Sequence, residues 1–458
     1  MSRVTMLKEK DLDTPEKRGK YVVTVVGCGR MGLPAACLFA EAGFKVIGLD
    51  TDPSVVNQIN KGLSPFSESG LSRLIKKNLK EGRLAATTEI KEAVPKSDII
   101  IVSVHIPVDQ KKRSDYSQFK ETCRDVGLNL KMGTLLIFES PVGPGSTETL
   151  IEKTLEAASG QKTGVDFGLV YSPIRASIGR VLRDMRNNAR VIAAADRQSL
   201  AAAKVVLKAV TRGEILETSN IKTAETIGLF EHVYRDVNLA LANEFAGFCE
   251  KMGIDYIEAQ TAANTHQFCH LLEPGIASEY VSEEPHLLIE EAENVGAKLQ
   301  ITALARRIND EAVKHSFSLI RDALRSCGKT VNRAKVTVMG VSFRPNVKET
   351  RGTLVMELVK TLQRKGAKVN VFDPFFSYSE LKSLGFPAER TLSKTVEGTD
   401  CLVVAVGHDR FKRLKLGKFK VLMKKPAVIV DLSHAVNPYA AEKEGFTYRG
   451  FGRGIWSK

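Results

Sequence analysis

The 458-residue sequence lacks any run of 18 or more apolar residues, which excludes a helix able to span a membrane. Its first twenty residues are charged and hold no apolar stretch, so no secretory signal is expected and the chain reads as cytoplasmic. Cysteine is sparse, and Cys28, Cys37, Cys123, Cys249, Cys269, Cys327 and Cys401 stand without paired spacing. That pattern gives no zinc-site signature, so no metal is expected, and it fits thiols kept reduced. The signatures of nucleic-acid recognition, such as an aromatic RNP sheet or a C2H2 finger, are missing too.

Hydrophobic residues make up 43% and charged residues 26%, the profile of a globular chain with little disorder beyond its termini. The length asks for two or three domains. A net charge of +14 suits anionic partners, from nucleic acid to a small dinucleotide. The densest basic run, Arg410 to Lys425, contains no acid. Its plain reading is a solvated loop face, and a nucleic-acid or anionic-surface binder is a remote alternative.

Residues 1–20 read as a polar tail. From Tyr21, short apolar runs alternate with helical segments: strands over 21–27, 44–50, 97–107, 133–140 and 166–173, and a helix over 31–43. The alternation predicts a parallel sheet covered on both faces. Residues 224–253 carry helical periodicity with few breakers and predict one long helix between domains or at a subunit interface. Strands resume over 334–343, 367–374, 399–408 and 426–434, echoing the first half. The expected fold is α/β, with two doubly wound Rossmann-like domains (21–216 and 329–458) joined by a central helical connector (217–328).

The segment GCGRMG sets Gly27, Gly29 and Gly32 at G-x-G-x-x-G spacing between a strand and a helix. The first glycine permits the tight turn, the second lets backbone approach a pyrophosphate, and the third allows close helix–strand packing. Cys28, Arg30 and Met31 complete the turn, and the helix N-terminus offers unpaired N–H groups to phosphate. Asp50 ends the next strand, where an acid accepts from ribose hydroxyls and repels a 2′-phosphate. The expected cofactor is therefore NAD.

With this motif, the segments LSPFSESGL (63–71), ESPVGPGSTE (139–148), AETIGLFEHVYRDVNLALANE (224–244), GVSFRPNVKETRGT (340–353) and VFDP (371–374) resemble the UDP-glucose/GDP-mannose dehydrogenase family, nearest to its UDP-N-acetylmannosamine subgroup. The resemblance covers the chain from about 21 to 454. It implies oxidation of a nucleotide-linked hexose at C6 with two NAD, nucleotide-sugar binding by the C-terminal domain through Phe343, Arg344 and Arg351, and a homodimer. The acid expected just before Arg351 is Thr350 here.

The family's catalytic pattern is where this sequence departs. Its nucleophilic cysteine falls at Tyr280, its glycine pair at Ala277 and Ser278, and its aspartate at Glu284. Its lysine falls at Gly228, the following asparagine at His232, and its glutamate at Ile174; further threonines fall at Ile106 and Pro141. A thiolate traps the aldehyde as a thiohemiacetal on the way to acid, whereas a phenol is a poor carbonyl nucleophile at neutral pH. The sequence thus predicts a protein that acts on or binds a UDP-linked hexose without the cysteine-dependent step. Tyr280, His232 and Glu284 are its candidate acid–base groups. A non-catalytic ligand binder, or a partner of an active paralogue, is the alternative.

Overall fold

A computed structural model describes residues 7–109, 111–276 and 283–456. The chain divides into two compact units, Met1–Glu231 with Glu283–Lys298, and His232–Ser282 with Leu299–Lys458.

The first unit is built on an eight-stranded sheet in the order β3-β2-β1-β4-β5-β6-β7-β8. The strands are β1 (Val22–Val26), β2 (Lys45–Leu49), β3 (Leu84–Thr87), β4 (Ile99–Val102), β5 (Leu135–Phe138), β6 (Gly168–Tyr171), β7 (Arg190–Ala194) and β8 (Ile215–Glu217). The IIIV of β4 and LLIF of β5 are buried along their whole length, as strands covered on both faces must be. Val25 pairs with Gly48 on one side and Ile101 on the other. The strand order reverses between β1 and β4, which opens a crevice at their carboxyl ends. One expectation fails in detail: β7 runs antiparallel to β6, so the sheet is mixed rather than wholly parallel. β8 then runs parallel to β7 after the helix Arg197–Lys208, and an antiparallel strand toward the margin of an otherwise parallel sheet is common.

The second unit holds a five-stranded parallel sheet in the order β10-β9-β11-β12-β13. Its strands are β9 (Lys335–Met339), β10 (Lys368–Phe372), β11 (Cys401–Val404), β12 (Val428–Asp431) and β13 (Thr447–Gly450). The order reproduces that of the first sheet from β2 through β6, so β11 stands in the place of β4 and β12 in that of β5. The helix Gln300–Ser326 packs a buried row that includes Ala312, Leu319, Ile320 and Ala323 into this unit's core.

The long helix is a single element of 32 residues, Ile221–Met252. The division between units falls within it, between Glu231 and His232.

Candidate functional site

The turn after β1 is shaped by backbone crowding. Gly27 has φ +90°, and a Cβ there would lie 2.5 Å from the Ser103 carbonyl oxygen at the end of β4. A Cβ on Gly32 would lie 1.8 Å from the Gly27 oxygen, so the helix Gly32–Ala42 can start where it does only from glycine. Gly29 is different, since a Cβ there would meet nothing within 4 Å. The first two of these positions serve packing, and the third leaves open space over the turn. Met31 caps the helix without any side-chain hydrogen bond, and its first turn has no acid. Leu33 N already donates to Gly29 O at 3.1 Å and Pro34 carries no N–H, so the surface offered to a phosphate is the turn backbone that precedes Leu33.

Asp50 closes the turn. Its Oδ2 accepts from Cys28 N at 2.8 Å and its Oδ1 from Asp52 N at 2.9 Å. The Cys28 thiol lies against β2, 2.8 Å from where a Cβ on Gly48 would stand, and burial pushes its pKa well up. Cys28 therefore contributes its N–H and not its sulfur. The Arg30 guanidinium lies 4.9 Å from the centre of the Phe66 ring. An uncapped helix start, an open glycine and a carboxylate at the end of β2 fit a dinucleotide.

The loop that follows β5 is held by a residue the sequence reading passed over. Glu225, in the first turns of the long helix, accepts from Gly145 N at 2.5 Å, Thr147 N at 2.8 Å and Thr147 Oγ1 at 2.6 Å. Burial raises its carboxyl above the ordinary range, against the pull of these donors. Also unforeseen is the buried pair of Glu139 and Arg190, with Oε1 and Nη1 at 2.7 Å. One turn beyond Glu225, a Cβ on Gly228 would meet Pro173 Cβ at 3.1 Å. Ile174 packs its side chain on the first unit's core, and Ile106 is buried. Glu284 is the first residue of the helix Glu284–Asn294 and is half-buried. Tyr280, Ala277 and Ser278 lie outside the described residues.

In the second unit, His232 sits one helical turn before Arg235, whose Nη2 lies 3.1 Å from His232 Nδ1. Further along, Asp236 pairs with Arg306, Asn309 Nδ2 donates to Asp236 at 2.9 Å, and Asn243 Nδ2 donates to Asn309 Oδ1 at 3.0 Å. Asn243 Oδ1 in turn accepts from Gly275 N at 2.9 Å. This buried chain fixes the segment that leads into residue 277.

The loop after β9 carries Phe343, Arg344 and Arg351. The Arg344 guanidinium lies 5.8 Å from the centre of the Phe343 ring. Arg351 reaches Glu349 Oε2 at 3.3 Å and is largely exposed. The acid that Arg351 meets is thus Glu349, two residues before it, and not position 350. The turn itself repeats that of the first unit: Gly340 has φ +90°, and Val341 N donates to Asp373 Oδ2 at 2.8 Å, as Cys28 does to Asp50. Here the carboxylate is sealed, since His408 Nε2 lies 3.1 Å from the same oxygen and Phe375 N donates to the other.

Comparison with known proteins agrees along the whole length. Residues 21–211 match the NAD binding domain of the UDP-glucose/GDP-mannose dehydrogenase family, 222–311 its central domain and 337–438 its UDP binding domain. The chain is 30% identical over 452 residues to a UDP-N-acetyl-D-mannosamine dehydrogenase of Methanococcus maripaludis, covering 96% of this chain and 100% of that one. The solved UDP-D-ManNAc dehydrogenase of Pyrococcus horikoshii superposes with a TM-score of 0.86 at 29% identity, over 95% of this chain and 100% of that one. The NDP-N-acetyl-D-galactosaminuronic acid dehydrogenase of Methanosarcina mazei gives a TM-score of 0.80 at 29% identity, over 100% and 99%. With an NAD binding domain at one end, a UDP binding domain at the other and a turn shaped for a dinucleotide, this chain belongs to the UDP-glucose/GDP-mannose dehydrogenase family.

Proposed function

We propose that this protein binds NAD at the Gly27–Gly32 turn with Asp50, binds a UDP-linked N-acetylated hexose through Phe343, Arg344 and Arg351, and oxidises one CH–OH of that sugar to a carbonyl. The observation that carries the two-electron limit is Gly228. The position that the resemblance gives to a lysine has no side chain, and a Cβ there would crowd Pro173 Cβ at 3.1 Å. The cysteine position is Tyr280. Burial raises five of the seven thiols, Cys28, Cys37, Cys123, Cys249 and Cys401, with Cys37 and Cys123 pushed up to about 12, and the Cys327 thiol donates to Thr447 Oγ1 at 3.1 Å, which leaves the half-buried Cys269 as the thiol to exclude by Cys269→Ser.

NAD, when bound, supplies the hydride acceptor. The chain's part is to orient the hydroxyl and to take its proton. A guanidinium can only donate, so Arg235 makes His232 Nδ1 an acceptor and leaves the proton of the neutral ring on Nε2. His232 then donates to a sugar oxygen, the Glu284 carboxylate takes the proton of the hydroxyl, and the Tyr280 phenol, which already carries its proton, orients the sugar by donating a hydrogen bond. With NAD and a UDP-N-acetylhexosamine, Glu284→Gln should slow NADH formation by about a hundredfold or more, the usual loss for a general base, and Tyr280→Phe by about tenfold, the loss of one orienting hydrogen bond. Unchanged turnover in both variants removes this mechanism.

The same replacements support a second reading, a non-catalytic binder of these ligands. It predicts saturable binding of NAD and UDP-sugar with no NADH formed. A homodimer through the long helix is supported by an exposed apolar stripe of Tyr234, Leu241, Phe245, Phe248 and Met252. A cytoplasmic site of action is supported by seven free cysteines. No helix among the described residues is long and apolar enough to cross a membrane.

A further inference from the structure

The basic run Arg410–Lys425 plays no part in the function above, yet it does not form a uniform solvated face. Phe411 and Phe419 are buried, at 1% and 8% exposure, and anchor the segment in the core beneath it. Between the turn Phe411–Arg413 and the helix Leu416–Leu422, the surface opens into a cavity of about 560 Å³. Its floor is apolar, made by Leu392, Leu414 and Phe419. Its rim carries Arg410, Arg413, Lys415 and Lys418. The one acid on the rim, Asp409, is engaged by Lys412 at 3.2 Å and by Asn346 Nδ2 at 2.8 Å, so it leaves the cation excess in place.

We propose that this cavity is a binding site for a phosphate ester whose body is apolar or aromatic. Two features select this class together. Four cations around one opening provide charge-assisted bonds to a phosphate, with the guanidinium fork of the arginines matching its oxygens. The apolar floor rewards a ligand that buries a hydrophobic body beside that phosphate, which a bare polyanion cannot do. The volume lies in the range of small-molecule pockets, about 300–1,000 Å³. None of these residues belongs to the glycine turn or to the Phe343–Arg351 loop. The rim is nonetheless tied to that loop, because Asn346 also donates its backbone N–H to His408 Nδ1 at 2.9 Å. A soluble ester and a lipid headgroup share this chemistry.

The test uses the full chain saturated with NAD and UDP, so that ligands of the proposed activity do not compete. Calorimetric titration with 1-naphthyl phosphate should show one saturable site per chain, and inorganic phosphate should bind at least about tenfold more weakly. Arg413→Glu with Lys418→Glu should weaken naphthyl phosphate by about tenfold or more. The neutral pair Arg413→Gln with Lys418→Gln should weaken it in the same direction. Lys424→Glu with Lys425→Glu, in the same run but off the cavity, should change it by no more than about twofold. A second arm measures co-sedimentation with phosphatidylcholine vesicles containing phosphatidic acid. Cavity-dependent binding there without naphthyl phosphate binding supports the site and assigns its ligand to a lipid headgroup. Absence of saturable binding in both arms overturns the proposal. So does equal weakening by the two charge-reversal pairs, which would mark a general electrostatic face.

Discussion

Gly29 and Gly32 stand three residues apart and do different work. A methyl on Gly32 would collide with the Gly27 oxygen, while one on Gly29 would meet only open space. Gly32→Ala should therefore unfold the first unit or lower its melting temperature sharply. Gly29→Ala should leave the melting curve of the free protein unchanged and weaken NAD by about tenfold or more, by holding the pyrophosphate off the backbone. Equal effects of the two variants on folding would contradict this division. Glu225 offers a second test at this scale. Glu225→Ala leaves the N–H groups of Gly145 and Thr147 buried without their acceptor. Each such orphan costs about 1–3 kcal/mol, so urea melts should show a loss of about 2–5 kcal/mol. A loss under about 1 kcal/mol would mean that the loop re-pairs by shifting. The glycine turn was legible in the sequence because its spacing is local. Glu225 was not, because its partners lie 78 and 80 residues away and only the folded chain brings them together.

At the scale of elements, legibility follows the same rule. β1, β2, β4, β5 and β6, and β9 to β12, announce themselves as short apolar runs that the sheet buries. β13 does not, since TYRG alternates between buried and half-buried residues, and β8 is only three residues, mostly exposed. β3 and β7 were passed over as well, and nothing local marks β7 as the strand that turns antiparallel. The end of β10 carries a testable consequence. Burial pushes the Asp373 carboxyl up, but His408 and the N–H groups of Val341 and Phe375 outweigh it and hold its pKa below 3.8. A carboxylate depressed in the folded state adds stability that is complete above its unfolded value and is lost as pH falls through the folded one. Stability should therefore drop below pH 3.8, and Asp373→Asn should shrink that acid limb in a pH series of urea melts. An acid limb unchanged in the variant would refute the assignment. On the long helix, Phe245→Glu with Phe248→Glu should convert a dimer into a monomer in light scattering. An unchanged mass would place the dimer surface elsewhere or remove it.

For the whole molecule, the positive charge alone pointed in too many directions, since nucleic acid and dinucleotides both attract cations. What narrowed it was the coincidence of a phosphate turn, an acid at the end of β2 and a second sheet of the same winding. Family membership was legible because its motifs run the length of the chain. The chemistry was less so: Gly228, His232, Tyr280 and Glu284, the positions to which the resemblance assigns catalytic groups, are scattered along the sequence, and their residue types alone do not say what they do. The most direct measurement counts NADH formed per sugar consumed, with purified protein, NAD and a panel of UDP-N-acetylhexosamines. The account predicts one NADH per sugar and a carbonyl product, because the position that the resemblance gives to the nucleophilic cysteine is Tyr280. Two NADH per sugar, with a uronic acid formed, would contradict it.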